Sequence, residues 1–130
     1  MLFEKLFVDG KILFYYSPIV WIEIMSEIHR MNKIGVLKLD RREIIERIMV
    51  VEDTFIHINP SPEAIGIAYL LRELGHRDMI DNVLYCIALN KNLLLMTMDE
   101  RFRGFLESEN MDTSIVISHR ELFNRAVHVD

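Results

Sequence analysis

The sequence has little cysteine and no long apolar run. Cys86 is the only cysteine in 130 residues, so no internal disulfide can form and we expect an intracellular, cytoplasmic protein. No apolar run reaches the ~18 residues that a membrane-spanning helix needs. The first residues carry charges and lack the small-residue cleavage site of a signal peptide. These absences disfavour a disulfide-rich secreted protein and an integral membrane protein.

The sequence also lacks an excess of positive charge and the common catalytic motifs. Its formal net charge of -5 disfavours binding to nucleic acid through a basic patch, although a bound cation can still bring a phosphate to an acidic site. There is no G-x-S-x-G turn, no Walker loop and no G-x-G-x-x-G fingerprint. The five histidines do not show an H-x-x-x-H spacing. The sequence therefore offers no obvious protein nucleophile, nucleotide-binding loop or zinc site.

Helix and strand patterns alternate along the chain. Apolar residues at helical spacing predict a first helix in "MLFEKLF", and the β-rich "KILFYYS" predicts the first strand. The full predicted order is α-β-α-α-β-α-α-β-α-β-α. This order is typical of a three-layer α/β/α sandwich with a mostly parallel central sheet. No repeat or linker interrupts it, so we expect a single domain over residues 1–130.

Local signals predict where several helices begin and end. Asp40 is expected to cap the helix "RREIIERIMVV", and Ser61-Pro62-Glu63 combines a cap, a first-turn proline and an early acid. Gly75 is expected to end the helix that begins after Ser61.

Acidic residues follow or flank the predicted strands. In open α/β sheets, ligands bind at the carboxyl ends of the strands. That rule singles out Glu23, in the helix after the first strand, and Asp99 with Glu100, directly after the third strand. Asp78 and Asp81 open the preceding helix, and their i, i+3 spacing puts them on one face.

Each of these carboxylates also has a purely structural interpretation. Glu23 fits an exposed polar stripe, Asp81 an acidic first turn favoured by the helix dipole, and Asp99 a helix cap. Several carboxylates in one cleft, however, repel one another unless a cation binds. Mg²⁺ or Mn²⁺ suits such a cluster, because these ions take oxygen ligands and keep waters for substrate phosphates. If the fold brings the three segments together, we expect a metal site suited to phosphodiester cleavage.

Two blocks of the sequence resemble the PIN-domain family. In "YYSPIVWIEIM", a strand ends in Ser-Pro and a glutamate follows five residues after the proline. In "GHRDMIDNVLYCIALNKNLLLMTMDERF", an aspartate opens a helix, a strand follows, and Thr-x-Asp is followed by a phenylalanine three residues on. The order and spacing of the blocks extend the resemblance over residues 11–118.

The resemblance implies a PIN-like fold and a Mg²⁺- or Mn²⁺-dependent ribonuclease. Such a hydrolase acts on RNA or single-stranded nucleic acid, and it is often the toxin of a toxin–antitoxin pair, with an antitoxin protein as partner. The residues that match the family's acidic set are Glu23, Asp81 and Asp99, which would be catalytic and hold the metal. Asp78 and Glu100 would be further metal ligands, and a water activated by the metal would be the nucleophile.

The chain departs from the family at its N-terminus. PIN domains begin with a strand that ends in a metal-binding aspartate and lies in the middle of the sheet. Nothing in residues 1–11 resembles it, and Asp9, in a predicted turn, is a poor substitute. Either the sequence lacks its true N-terminal strand, or the protein is a reduced PIN-like domain. In the reduced case, unpaired strand edges predict a homodimer or higher oligomer with weak metal binding and little or no activity.

Two other function classes stay open. A non-catalytic PIN-fold interaction module that self-associates would keep the fold without the activity. A receiver-like or phosphatase-like domain would use the acidic cluster for other phosphoryl chemistry. Those folds place their main aspartates after early strands, whereas the first two predicted strands here end in Ser17 and Asn59.

Overall fold

A computed structural model describes residues 2–4 and 12–127 of the chain. The strands of this part are short, and the helices are between nine and fourteen residues long. In chain order the elements are β1 (Leu2–Glu4), β2 (Phe14–Tyr16), α1 (Val20–Lys33), α2 (Arg41–Thr54), β3 (Ile56–His57), α3 (Pro62–Glu73), α4 (Met79–Lys91), β4 (Leu93–Met96), α5 (Glu100–Ser108), β5 (Val116–Ile117) and α6 (His119–Val127). The chain therefore has the mixed α/β character that the alternating pattern predicts.

The strands form one sheet in the order β3-β2-β1-β4-β5. Strands β2 and β3 are parallel, as are β4 and β5. Strand β1 joins the two pairs and is antiparallel to both neighbours, with Leu2 opposite Tyr15 on one side and Leu95 on the other. Four strands thus share one direction, as expected for a mostly parallel sheet, and the central strand runs against them.

The predicted N-terminal helix is wrong for residues 2–4, which form the central strand. An isolated helix of seven residues has few internal hydrogen bonds and is marginal in water. As a strand, the same segment pairs with a neighbour on each side, and Leu2 is completely buried in the core. The rest of the predicted helix and the turn at Asp9 lie outside the described residues.

The position of β1 also bears on the expected gap in the sheet. The middle of the described sheet is occupied, and β3 and β5 are its edges. The unpaired central edges that suggested self-association are therefore not found in this part of the chain. Self-association itself stays a prediction.

The predicted helix starts are confirmed. The side chain of Asp40 accepts a hydrogen bond from the backbone N–H of Glu43 at 2.9 Å, and the N–H of Asp40 donates in return to the Glu43 carboxylate. Ser61 Oγ accepts from the N–H of Ala64 at 3.1 Å at the start of α3. Gly75 follows α3 with a φ of +117°, a conformation that glycine adopts without steric cost.

Helix α4 is the centre of the core. Its segment from Leu84 to Ala88 is continuously buried, and α3 packs along it through Ala64, Ala68 and Leu71. Burial raises the pKa of the Cys86 thiol to about 12, which fits the expectation of an inert core cysteine. No helix in the described ranges is both long enough and apolar enough to cross a membrane.

Candidate functional site

Asp78 and Asp81 lie at the N-terminus of α4, where backbone N–H groups lack partners within the helix. Asp78 is the capping residue, and its Oδ1 accepts from the N–H groups of Ile80 at 3.0 Å and Asp81 at 3.2 Å. An aspartate favours this position because its short side chain reaches those N–H groups. The cap fixes the first turn, and therefore fixes where the Asp81 side chain leaves the helix.

Asp99 caps α5 in the same way, just after strand β4. Its Oδ1 accepts from the N–H groups of Arg101 at 3.0 Å and Phe102 at 3.3 Å. Its own N–H donates to Thr97 Oγ1 at 3.1 Å, which tightens the turn between strand and helix. The structural interpretation of Asp99 as a helix cap is therefore confirmed. Like Asp78, Asp99 is exposed, so its carboxylate remains accessible to solvent.

The fold brings these three aspartates together although they come from two separate segments. Asp81 is half-buried, and burial raises the pKa of its carboxyl to about 6, helped by the nearby charges of Asp78 and Asp99. A hydrogen bond with Asp78 raises this pKa further, and the imidazole of His76 partly opposes the rise. We call Asp78, Asp81 and Asp99 the acidic cluster. It lies beyond the carboxyl end of β4, where the rule for open α/β sheets expects a ligand.

Glu23 and Glu100, the other two predicted site residues, take no part in the interactions that raise the pKa of Asp81. Glu23 is exposed on α1, and Glu100 is exposed in the first turn of α5. Neither is among the groups that shift the pKa of Asp81. Within the described ranges, no group of three or more histidine, cysteine, aspartate or glutamate side chains is placed so that it could hold a metal ion.

A hydrogen-bonded pair next to the acidic cluster, His76 with the buried Asn82, was not foreseen from the sequence. Asn82 is completely buried, and its Nδ2 donates to the carbonyl of His76 at 3.0 Å. Its Oδ1 therefore faces His76 Nδ1, which donates at 2.6 Å. The His76 ring also packs against Phe102 and Phe105, with its centroid 4.6 and 5.1 Å from theirs. A histidine six residues before a helical asparagine is too common a spacing to have signalled this contact.

The His76–Asn82 pair positions the cluster because it connects the chain before α4 to the first turn of α5.

Searches against protein-family models, curated proteins and solved structures find no match to this chain. The resemblance to PIN domains therefore rests on the two sequence blocks.

The carboxylates of the acidic cluster fit one kind of metal site and not another. They do not form a cage of three or more protein ligands in the described part of the chain. Mg²⁺, however, is commonly held by one or two carboxylates and keeps several waters, which substrate phosphates replace. Asp81 and Asp99 provide such a pair, since both cap hydrogen bonds of Asp99 are accepted by Oδ1 and its second oxygen can face an ion.

The raised pKa of Asp81 predicts a pH dependence of stability. A carboxyl whose pKa is higher in the folded state binds its proton more tightly there, so the contribution of Asp81 to stability is greatest below its unfolded pKa of 3.8. This contribution should fall as the pH rises from about 4 to 6, and then stay level. Because Asp81 is only half-buried, we expect a loss of about 1 kcal/mol, well below the ~3 kcal/mol of an unscreened shift of this size.

Chemical unfolding in EDTA, measured from pH 4 to 7, checks this expectation. Asp81→Asn should lose the extra pH dependence and be more stable than the wild type at pH 7. Asp53→Asn, at an exposed position on α2, is the matched control and should keep the wild-type profile. Parallel profiles for the wild type and Asp81→Asn would contradict the repulsion inferred for the acidic cluster.

Proposed function

We propose that the chain is a PIN-like ribonuclease that cleaves a phosphodiester with Mg²⁺ or Mn²⁺ held by Asp81 and Asp99. The observation that supports this proposal best is the convergence of Asp78, Asp81 and Asp99 beyond the carboxyl end of β4, which leaves a half-buried carboxyl repelled by two others. A cation relieves such repulsion. The three-layer arrangement, the cytoplasmic location, the RNA substrate and an antitoxin partner all belong to the proposal.

The side chains around the cluster have distinct roles in this proposal. Asp81 and Asp99 bind the cation, and Asp78 holds Asp81 in place through the first turn of α4. The cation, when bound, supplies an activated water and neutralises charge on the phosphate. Arg101, exposed two residues after Asp99, contacts the phosphate. Arg103 is unsuited to that role, because it donates to the carbonyl of Val116 and pairs with Glu121 at 3.2 Å.

RNA cleavage by the purified full chain tests the proposal. A mixed-sequence, single-stranded RNA should be cut in the presence of Mg²⁺ or Mn²⁺ and remain intact in EDTA. Titration calorimetry with Mn²⁺ should show binding that Asp81→Asn weakens. A wild-type protein that neither binds Mn²⁺ nor cuts RNA with either metal would overturn the proposal.

A non-catalytic interaction module is the second candidate, and a separate observation favours it. Neither α1 nor α2 contains a buried residue, although both carry large apolar side chains. Such surface on two consecutive helices is typical of a protein contact. The exposed apolar residues of these helices are Ile22, Ile24, Ile45, Met49 and Val50.

Sedimentation of the same preparation separates the two candidates. An oligomer that does not cut RNA and that dissociates when Val50 is replaced by glutamate supports the interaction module. A monomer that cuts RNA supports the nuclease.

A further inference from the structure

Helix α2 carries apolar side chains on two of its sides. Ile44, Ile48 and Val51 are half-buried and form the side that packs towards the rest of the protein. Ile45 and Met49 lie on the outer side and are 57% and 56% exposed. A surface helix needs one apolar stripe to pack on its own protein. The second stripe is therefore available for contact with another molecule.

Opposite charges lie at the two ends of this outer stripe. Arg42, Ile45, Met49 and Asp53 are spaced by three or four residues, so they share one face of the helix, and all four are exposed. Arg42 and Asp53 are about 17 Å apart along the helix axis. Arg42 pairs with Glu46 of the same helix at 3.2 Å, but both side chains are largely exposed, and such a pair holds the guanidinium only weakly.

The end charges of α2 also run against its dipole. A helix favours acidic side chains at its N-terminus and basic ones at its C-terminus. Apart from the capping Glu43, α2 has the reverse order, with Arg41 and Arg42 as its first residues and Glu52 and Asp53 near its end. Beside an antiparallel helix of the same sequence, each charged end would adjoin the opposite end of a dipole and side chains of opposite charge. The outer face is thus complementary to itself.

We infer that two copies of this chain associate through the outer faces of α2, with the two helices antiparallel about a two-fold axis. Arg42 of each copy faces Asp53 of the other, and Ile45 and Met49 of both copies form the apolar centre. Val50, which is 63% exposed, adds to this centre. A parallel arrangement would instead place like charges opposite each other. The inference does not depend on RNA cleavage, because α2 carries no residue of the acidic cluster, and a protein that cuts no RNA would leave it intact.

Sedimentation of the full chain over a range of concentrations tests the inference. One helix pair buries a small interface, so we expect a weak dimer with a Kd on the order of 10 μM. Arg42→Asp and Asp53→Arg should each raise this Kd about tenfold, because each turns two attractive contacts of the symmetric dimer into repulsive ones. Both substitutions bring the charge of α2 into line with its dipole, so neither should impair folding.

Recombination of the two charges makes the test specific for the antiparallel pair. An equal mixture of the Arg42→Asp and Asp53→Arg proteins should form mixed dimers, and the double variant should dimerise like the wild type. Arg120→Asp is the matched control, since Arg120 is also exposed at the second position of a helix, α6, and its replacement should leave the Kd unchanged. A wild type that stays monomeric at about 500 μM would overturn the inference. Single variants that dimerise like the wild type, or a mixture and a double variant that stay monomeric, would also overturn it.

Discussion

Replacing Asp81 or Asp99 by asparagine is expected to lower metal-dependent RNA cleavage on the order of 100-fold. Each substitution keeps the size of the side chain but removes a negative charge that binds the cation in the proposed function. A bound metal supplies several kcal/mol of charge stabilisation in the transition state, and each ~1.4 kcal/mol corresponds to a factor of ten in rate. Initial rates of RNA cleavage at saturating Mg²⁺ measure the effect.

Two further variants determine whether the loss of RNA cleavage is specific to substitutions in the acidic cluster. Glu23→Gln and Glu100→Gln should each have a smaller effect, because both side chains are exposed and neither acts on the Asp81 carboxyl. Asp81→Asn should also be folded at neutral pH. It should be more stable than the wild type, because it removes the repulsion of Asp81 by Asp78 and Asp99. Full activity in Asp81→Asn or Asp99→Asn would exclude that residue from the site.

Replacing Phe102 by alanine is expected to lower the free energy of unfolding by about 3–5 kcal/mol. The ring is completely buried and packs edge-on against Tyr85, with ring centroids 5.9 Å apart, as well as against His76. Tyr85 in turn donates from its hydroxyl to the carbonyl of Asp112 at 2.7 Å. The cavity left by Phe102 would therefore loosen contacts to α4 and to the chain before it. Urea unfolding at 25 °C measures the change.

Phe123→Ala is the matched control for this prediction. Phe123 is 67% exposed on α6, so its removal should change the free energy of unfolding by less than about 0.5 kcal/mol. Equal losses in the two alanine variants would contradict the burial described for Phe102.

The sequence predicted most of the helices and strands after residue 11, because their signals are local. Asp40, Ser61, Asp78 and Asp99 each cap the helix that follows them, and each bonds to N–H groups two or three residues away. Such contacts depend on neighbouring residues and on little else. The α/β class follows from the alternation that these signals define.

The candidate site was predicted in part. The rule for open α/β sheets selected Asp99, and the first turn of the helix before β4 supplied Asp81 and Asp78; the fold brings these three together. The rule also selected Glu23 and Glu100, which the structure leaves exposed and apart from the charges that act on Asp81. The spacing of residues along the chain could not decide whether Glu23 reaches the acidic cluster, because the rotation of α1 about its axis depends on how that helix packs against the rest of the protein.

By itself, the sequence determined the caps, the order of the elements after residue 11 and the two segments that carry the acidic cluster. The tertiary structure decided that residues 2–4 form the central strand, since pairing with β2 and β4 outweighs the helical spacing of a few apolar residues. It also decided that Asn82 is a buried partner of His76, and that Ser17 is buried with no hydrogen-bond partner for its Oγ in the described structure. These features depend on contacts between residues far apart in the chain, and such contacts have no local pattern in the sequence.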